Sequence, residues 1–317
     1  MSRPIQGKKE RMSFSRTKDQ IFTFYNGIAS WLSRRSPVVR QMFYGTMRVI
    51  FWVVYLLPGN SVRVTTIALS KHVGHPSPKT LYSAYITGFM RGIDRLERVR
   101  HGFGSEVDKL LSIPEQGRVN ALLEKSGFIL VMPHVHGSFA MVRGLSQSYD
   151  VMTLVRLTRN EKRAQAQRDL YSQVGCDFHD VRNGDSVSVA RTLLRALKAG
   201  KIVIGLVDSI EYPQVLNDNP SGKMIAATAF GEDVKIITWP AMFGVKAGVP
   251  IVPATVEQAA DEIRLILGRS ITPTNDLAET TQNWLDGLQS LMRHYPQEWA
   301  FWLDKNWSQL LRKNPPE

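Results

Sequence analysis

From Leu81 to Ile113 apolar positions recur every three to four residues, as in LYSAYITGFMRGIDRLERV and VDKLLSI, and this spacing predicts helices through residues 81–125. Past Gly127 the pattern changes to short, unbroken apolar runs, the form taken by strands buried on both faces. Phe128–Met132 is the first such run, Val151–Val155 the second and Ile202–Val207 the third. VPIVPATVEQ and Glu262–Leu267 supply a fourth and a fifth, parted by the Ala259-Ala260-Asp261 turn. Between them lie a polar helix, Asn160–Val174, stopped by Gly175, and a helix over Ser188–Gly200, whose final Lys and Gly suit a helix C-terminus. Thr280–Arg293 is amphipathic and leads into HYPQEWAFWLDKNW, dense in aromatics. Strands alternating with helices predict an α/β fold with a mixed, mostly parallel central sheet flanked by helices. Sites in such sheets lie at the carboxyl ends of the strands, which here are followed by His134, Arg156 and Asp208.

The most apolar segment comes earlier, in QMFYGTMRVIFWVVYLLPG at residues 41–59. As a helix, Gln41–Leu57 spans about 26 Å, short of the roughly 30 Å hydrocarbon core, and Arg48 interrupts it. It starts too late for a secretory signal, and Pro58-Gly59-Asn60 follows it where a cleavage site would need small residues. The residues suit a helix lying in the membrane surface, with Phe43, Trp52 and Tyr55 at the acyl boundary. A buried core helix of a soluble protein is the alternative.

Charge favours the surface reading. The net charge of +12 resides entirely in residues 1–110, which hold 18 Lys/Arg against 6 Asp/Glu, while 111–317 hold 22 of each. Lys8, Lys9, Arg11, Arg16, Lys18, Arg34, Arg35 and Arg40 precede the apolar helix and would meet anionic headgroups on the cytoplasmic side. No zinc-finger or RNP signature accompanies them, so nucleic acid is not the expected partner. Residues 1–110 therefore read as a basic helical N-terminal region with an apolar helix at 41–57, and 111–317 as the α/β domain. A hydrophobic content of 43% fills a sizeable core, and the single Cys176 excludes an internal disulfide. Cys176, in VGCDF, has no adjacent base and reads as a small buried residue.

Candidate chemistry concentrates in GFILVMPHVHGSFAM, residues 127–141, where a strand ends in His134-Val135-His136-Gly137-Ser138. In extended backbone the two histidines share a face, and if a helix starts after Pro133 they diverge. Three readings stay open on the residues alone. The pair could chelate zinc, with His179 or Asp208 completing the site. One histidine could cap the strand end while the other is exposed. Or His134 could act as a general base ahead of a helix whose first-turn amides stabilise an oxyanion.

Further features run in a fixed order: a basic, apolar N-terminal helix; a Gly, a five-residue strand and a His; an Arg in LVRLTRN; ALKAG leading into a strand that ends in Asp; FG; AGVPIVPA; and YPQEWAFW. This order, over most of the chain, resembles the bacterial lipid A biosynthesis acyltransferase family, the lauroyl and myristoyl transferases that move a fatty acyl chain from acyl carrier protein to a lipid hydroxyl. The resemblance implies a membrane-associated acyltransferase on the cytoplasmic face of the bacterial inner membrane. Its donor would be acyl carrier protein or acyl-coenzyme A, its partners membrane lipids, and it would need no cofactor beyond the acyl thioester and no metal. Carried onto this sequence, it implies His134 as base, Arg156 against the substrate anion and Asp208 in the same pocket. His136 is a fallback base, and His136, Gly137, Ser138 and Phe139 form the binding turn.

One departure stands out. The family pattern is H-x-x-x-x-D/E, with the carboxylate orienting the imidazole, yet the fifth residue after His134 is Phe139 and after His136 is Met141. Only His101 has an acid at that spacing, Glu106, and no strand precedes it. Either Asp208, Ser138 or His136 orients the base, or the fold is retained by a lipid-binding protein with altered or lost chemistry. A weakened base would also suit an amine acceptor better than a hydroxyl.

Overall fold

The computed structural model describes residues 24–182, 186–212 and 224–313, so Lys8, Lys9, Arg11, Arg16 and Lys18 lie outside the described residues. The chain divides into two compact units, residues 1–47 and 48–317. In the first, residues 24–33 form helix α1, and helix α2 (Pro37–Leu56) begins there and runs on into the second. Pro58 and Gly59 then break the helix, with Gly59 at φ +69°. Asn60 restarts it by accepting a hydrogen bond from Val62 N, and its Nδ2 donates to Val54 O at 2.7 Å. Helix α3 (Ser61–His72) consequently leaves α2 at a bend of 87°. No single helix among the described residues is long and apolar enough to cross a membrane, whereas α2 and α3 together have the length and composition of a bent span.

The inward face of α2 corrects one expectation. Tyr55 is buried, stacked on Tyr82 of α4 (Pro78–Arg100) with centroids 4.2 Å apart, and Trp52 meets both rings edge-on. Tyr55 is not free to enter an acyl boundary, whereas Trp52 is only half-buried. Tyrosine and tryptophan offer large areas that α4 covers, and the aliphatic Val49, Ile50, Val53 and Leu56 are left exposed instead.

After α4 come α5 (Gly104–Asp108), β1 (Leu111–Ser112), α6 (Gln116–Leu123), β2 (Phe128–Met132), α7 (Ser138–Ser148), β3 (Val151–Val155) and α8 (Glu161–Val174). The chain continues through β4 (Asp177–Asp180), α9 (Ser186–Lys198), β5 (Ile202–Leu206), β6 (Ile210–Glu211), β7 (Met224–Ala229) and β8 (Glu232–Ile237). It closes with α10 (Trp239–Ala247), β9 (Ile251–Gln258), β10 (Ile263–Leu267), α11 (Leu277–His294), a 3-10 turn (Phe301–Leu303) and α12 (Lys305–Lys313).

Among the described residues one sheet has seven strands in the order β1-β10-β9-β2-β5-β3-β4, with β10 antiparallel to β9 and every other pair parallel. The fold is thus the expected mixed, mostly parallel α/β sheet flanked by helices. The five apolar runs are β2, β3, β5, β9 and β10; the first two have the expected limits, and the other three each have one end shifted by one or two residues. β2 lies at the centre with all five side chains buried, each removing about 1.5–3 kcal/mol worth of apolar surface from water.

Several features escaped the hydrophobic pattern, among them β1, inside the stretch expected to be helical, and α10. β4, with the sequence DFHD, is an edge strand whose side chains are exposed or half-buried, so no apolar run marks it. The antiparallel sheet β6-β8-β7 is likewise half-exposed, and MIAATA and EDVKII lack a continuous apolar signal. The helix limits matched their chemistry more closely. Asn160 accepts from Arg163 N at the start of α8, and Gly175 ends it in the left-handed conformation at φ +82°.

Candidate active site

Parallel register builds the centre of the site. β2 and β5 pair residue for residue as far as Met132↔Leu206, and Val207 N donates to Met132 O at 3.0 Å. Pro133 has no N–H to continue the ladder, and the chains part there. Two residues beyond the last pair on each strand stand His134 and Asp208, and His134 Nδ1 donates to Asp208 Oδ1. Asp208 is wholly buried, a position that demands partners for its charge. Trp299 Nε1 supplies one at 2.8 Å from Oδ2, and Trp307 Nε1 donates to the Asp208 carbonyl at 2.6 Å. With Nδ1 committed to the carboxylate, Nε2 is the nitrogen left to accept a proton.

The aromatic C-terminal segment holds His134 from the other side. Val135 bridges Trp299 in antiparallel fashion, Ala300 N donates to His134 O at 2.6 Å and His136 N donates to Glu298 O at 3.2 Å. Phe301 lies flat on the His134 imidazole, with centroids 3.7 Å apart and planes 3° from parallel. YPQEWAFW was conspicuous in the sequence, but its density of aromatics alone assigned Trp299 and Phe301 no partners.

A cavity of about 490 Å³ opens beside the histidine. Its apolar walls include Phe89, Ile93 and Leu96 of α4, Leu154 of β3, Tyr171 of α8 and Leu206 of β5. His134, His136, Ser138, Phe139 and Arg156 also line it, so five of the seven residues singled out from sequence meet there. Asp208 stands behind His134, as the hydrogen bond requires. Gly137 serves packing: a Cβ there would lie 2.8 Å from Val256 Cγ1. Ser138 is buried in the first turn of α7, and its N–H donates to Val135 O at 3.2 Å. Arg156 is exposed at the end of β3. Phe139 packs on Tyr171 at 5.7 Å between centroids, giving the cavity an aromatic wall at the position where the family pattern has a carboxylate.

His136 has a different environment from His134. Its ring lies edge-on to Tyr85 and Phe89, 4.9 and 5.4 Å away. Gly92 lets α4 come this close, since a Cβ there would sit 2.5 Å from His136 O. Nε2 is sealed from water without a hydrogen-bond partner, and burial pushes the imidazole down to about 4, leaving it neutral near pH 7. Of the three groups considered as orienters of His134, Asp208 makes the contact. Among the described residues no three His, Cys, Asp or Glu side chains are grouped to hold a metal ion. Cys176 is buried and its thiol is pushed up to about 11, so it is no nucleophile at neutral pH.

The arrangement offers a histidine base with a buried carboxylate behind it, an apolar cavity in front and a guanidinium at the same cavity. Such a site can deprotonate a hydroxyl beside a long acyl chain. The sequence profile of the family described as bacterial lipid A biosynthesis acyltransferase matches residues 86–309, a span that includes every one of these groups. No curated protein matches the chain.

Proposed function

Because the chain belongs to the bacterial lipid A biosynthesis acyltransferase family, we propose that it moves a fatty acyl group from an acyl carrier protein or coenzyme A thioester to a hydroxyl of an amphiphilic, lipid A-like acceptor at the membrane surface. The observation that most supports this is the His134–Asp208 hydrogen bond at the carboxyl ends of β2 and β5. His134 Nε2 takes the hydroxyl proton as the acceptor oxygen attacks the thioester carbonyl. The C–S bond then breaks, and the departing thiolate recovers the proton from the imidazolium, leaving an ester and a free thiol. Asp208 keeps the imidazole in the tautomer that has its lone pair on Nε2 and stabilises the cation formed on the way.

Arg156 at the cavity, with the Phe139 and Ala140 amides of the first turn of α7, would receive the oxyanion or a donor phosphate. Phe89, Leu96, Phe139 and Tyr171 give the acyl chain an apolar lodging. An amine acceptor was attractive only for a base without a carboxylate, and Asp208 removes that motive. For the membrane, Val49, Ile50, Val53, Leu56 and Leu57 on and after α2, with Val64 and Ile67 on α3, form exposed aliphatic surface, and Arg48 and Arg63 are exposed among them. With the basic N-terminal third, this supports peripheral or monotopic attachment at the cytoplasmic face of the inner membrane.

Lipid mass spectrometry of cells overproducing the wild type or His134→Ala tests the reading. Acylated lipid should accumulate with the wild type and not with the variant. Identical lipid profiles for the two would favour a lipid-binding protein on this fold.

A further inference from the structure

We infer that Trp299 and Phe301 are positioning residues that tune the His134–Asp208 pair in opposite senses, an inference that rests on the acyl-transfer reading above. Trp299 Nε1 donates to Asp208 Oδ2 at 2.8 Å and so spreads the carboxylate charge away from the oxygen that faces His134. A hydrogen bond to the ionised form stabilises it, which weakens its hold on a proton at the imidazole. Phe301 acts on the other partner. A flat, face-to-face stack is a poor arrangement for two neutral rings, but a cation over an aromatic face is attracted by the ring quadrupole. With centroids at 3.7 Å and planes 3° apart, the stack therefore favours the imidazolium over the neutral ring.

The imidazolium is the species that exists only while the acceptor is attacking, so a contact selective for it lowers the barrier without tightening substrate binding. The other titratable side chains near His134 stay the same in the variants below. Asp208 is hydrogen-bonded to it, and Arg156, Tyr171 and neutral His136 share its cavity. The same short segment also pins the backbone through Val135↔Trp299 and Ala300 N to His134 O, so aim and basicity are controlled from one stretch of chain.

The test uses the full-length enzyme in detergent with an acyl thioester donor, comparing Trp299→Phe, Phe301→Leu and Phe301→Tyr across pH. Trp299→Phe keeps an aromatic ring and loses the N–H. It should move the acidic limb of the pH–rate profile to higher pH, the direction opposite to that of Phe301→Leu, with KM within about twofold. Phe301→Leu should lower kcat by about three- to tenfold and move that limb to lower pH, while Phe301→Tyr, which retains the stack, should behave as wild type. Phe301 is only half-buried, so its variants carry the test even if Trp299→Phe does not fold. Unmoved limbs and unchanged kcat, with His134→Ala inactive, would overturn this inference alone. Retained activity in His134→Ala would instead overturn the reading beneath it.

Discussion

His134 and Asp208 are 74 positions apart in the chain, yet each stands two residues beyond the last paired residue of neighbouring parallel strands, and Nδ1 of one donates to Oδ1 of the other. Asp208→Asn probes this relationship with little change of shape. The amide oxygen can still accept from Trp299, which leaves the amide nitrogen facing His134 Nδ1. Nδ1 must then be the acceptor, the proton moves to Nε2, and the base is lost. Turnover should fall by about 10³- to 10⁴-fold with a circular dichroism spectrum like that of the wild type. A steady-state assay with less than a tenfold loss would show that Asp208 does not hold the tautomer.

Phe139→Glu restores a carboxylate at the family's spacing, and a gain in turnover would mark the site as a weakened version of the ordinary one. The structure points to a loss. Asp208 already occupies Nδ1, and residue 139 lines the apolar cavity against Tyr171. A charge there is costly to desolvate against an acyl chain, so kcat/KM should drop about tenfold or more, chiefly through KM for the donor. Higher turnover in donor-saturation kinetics would mean that position 139 reaches the base after all.

The exposed aliphatic face of α2 gives a prediction separate from chemistry. Val53 and Leu56 are 56% and 55% exposed, so replacing both with Glu disturbs little packing. Each loses about 1.5–3 kcal/mol of possible apolar burial in a bilayer and adds repulsion from anionic lipid. Sedimentation with phosphatidylglycerol-containing vesicles should show binding weakened at least tenfold, while turnover on detergent-solubilised substrate stays within about twofold of wild type. Undiminished vesicle binding would place the membrane contact elsewhere.

His136 makes stability depend on pH. Its imidazole, pushed down to about 4 by burial, stays neutral in the folded chain while the unfolded chain takes up the proton near the ordinary value of about 6.5. The unfolded state thus binds more protons as pH falls through this window, and stability declines, by about 2 kcal/mol between about pH 7 and about pH 5. Buried Glu298 works the other way: burial raises its carboxyl, so the folded chain holds that proton more readily and gains as pH falls. His72, also lowered by burial, adds to the decline. Comparing wild type with His136→Phe cancels both. Urea midpoints measured at the two pH values should fall less for the variant, and equal falls would contradict a neutral, buried His136.

How much of this was legible in the sequence follows the range of the interactions. Apolar runs reveal β2, β3, β5, β9 and β10 because burial on both faces leaves a local mark, and Asn160 and Gly175 reveal the limits of α8 because caps satisfy neighbouring backbone groups. The strand-end rule then placed His134, Arg156 and Asp208 on one edge of the sheet before any contact was known. Polar β4 and the half-exposed β6-β8-β7 sheet carry no such mark and escaped.

Contacts between distant positions were a different matter. Which carboxylate orients His134 depends on β5 inserting beside β2, a strand order that periodicity does not encode. The roles of Trp299 and Phe301 depend on a segment some 165 positions away folding back along Val135. Which way His136 turns depends on Gly92 admitting α4, and the inward turn of Tyr55 on Tyr82 waiting to stack on it. Local chemistry in the sequence therefore determined the elements and the edge on which the site lies. The partners of each side chain were decided by tertiary packing, because hydrogen bonds and stacks act over a few ångströms in space whatever the separation along the chain.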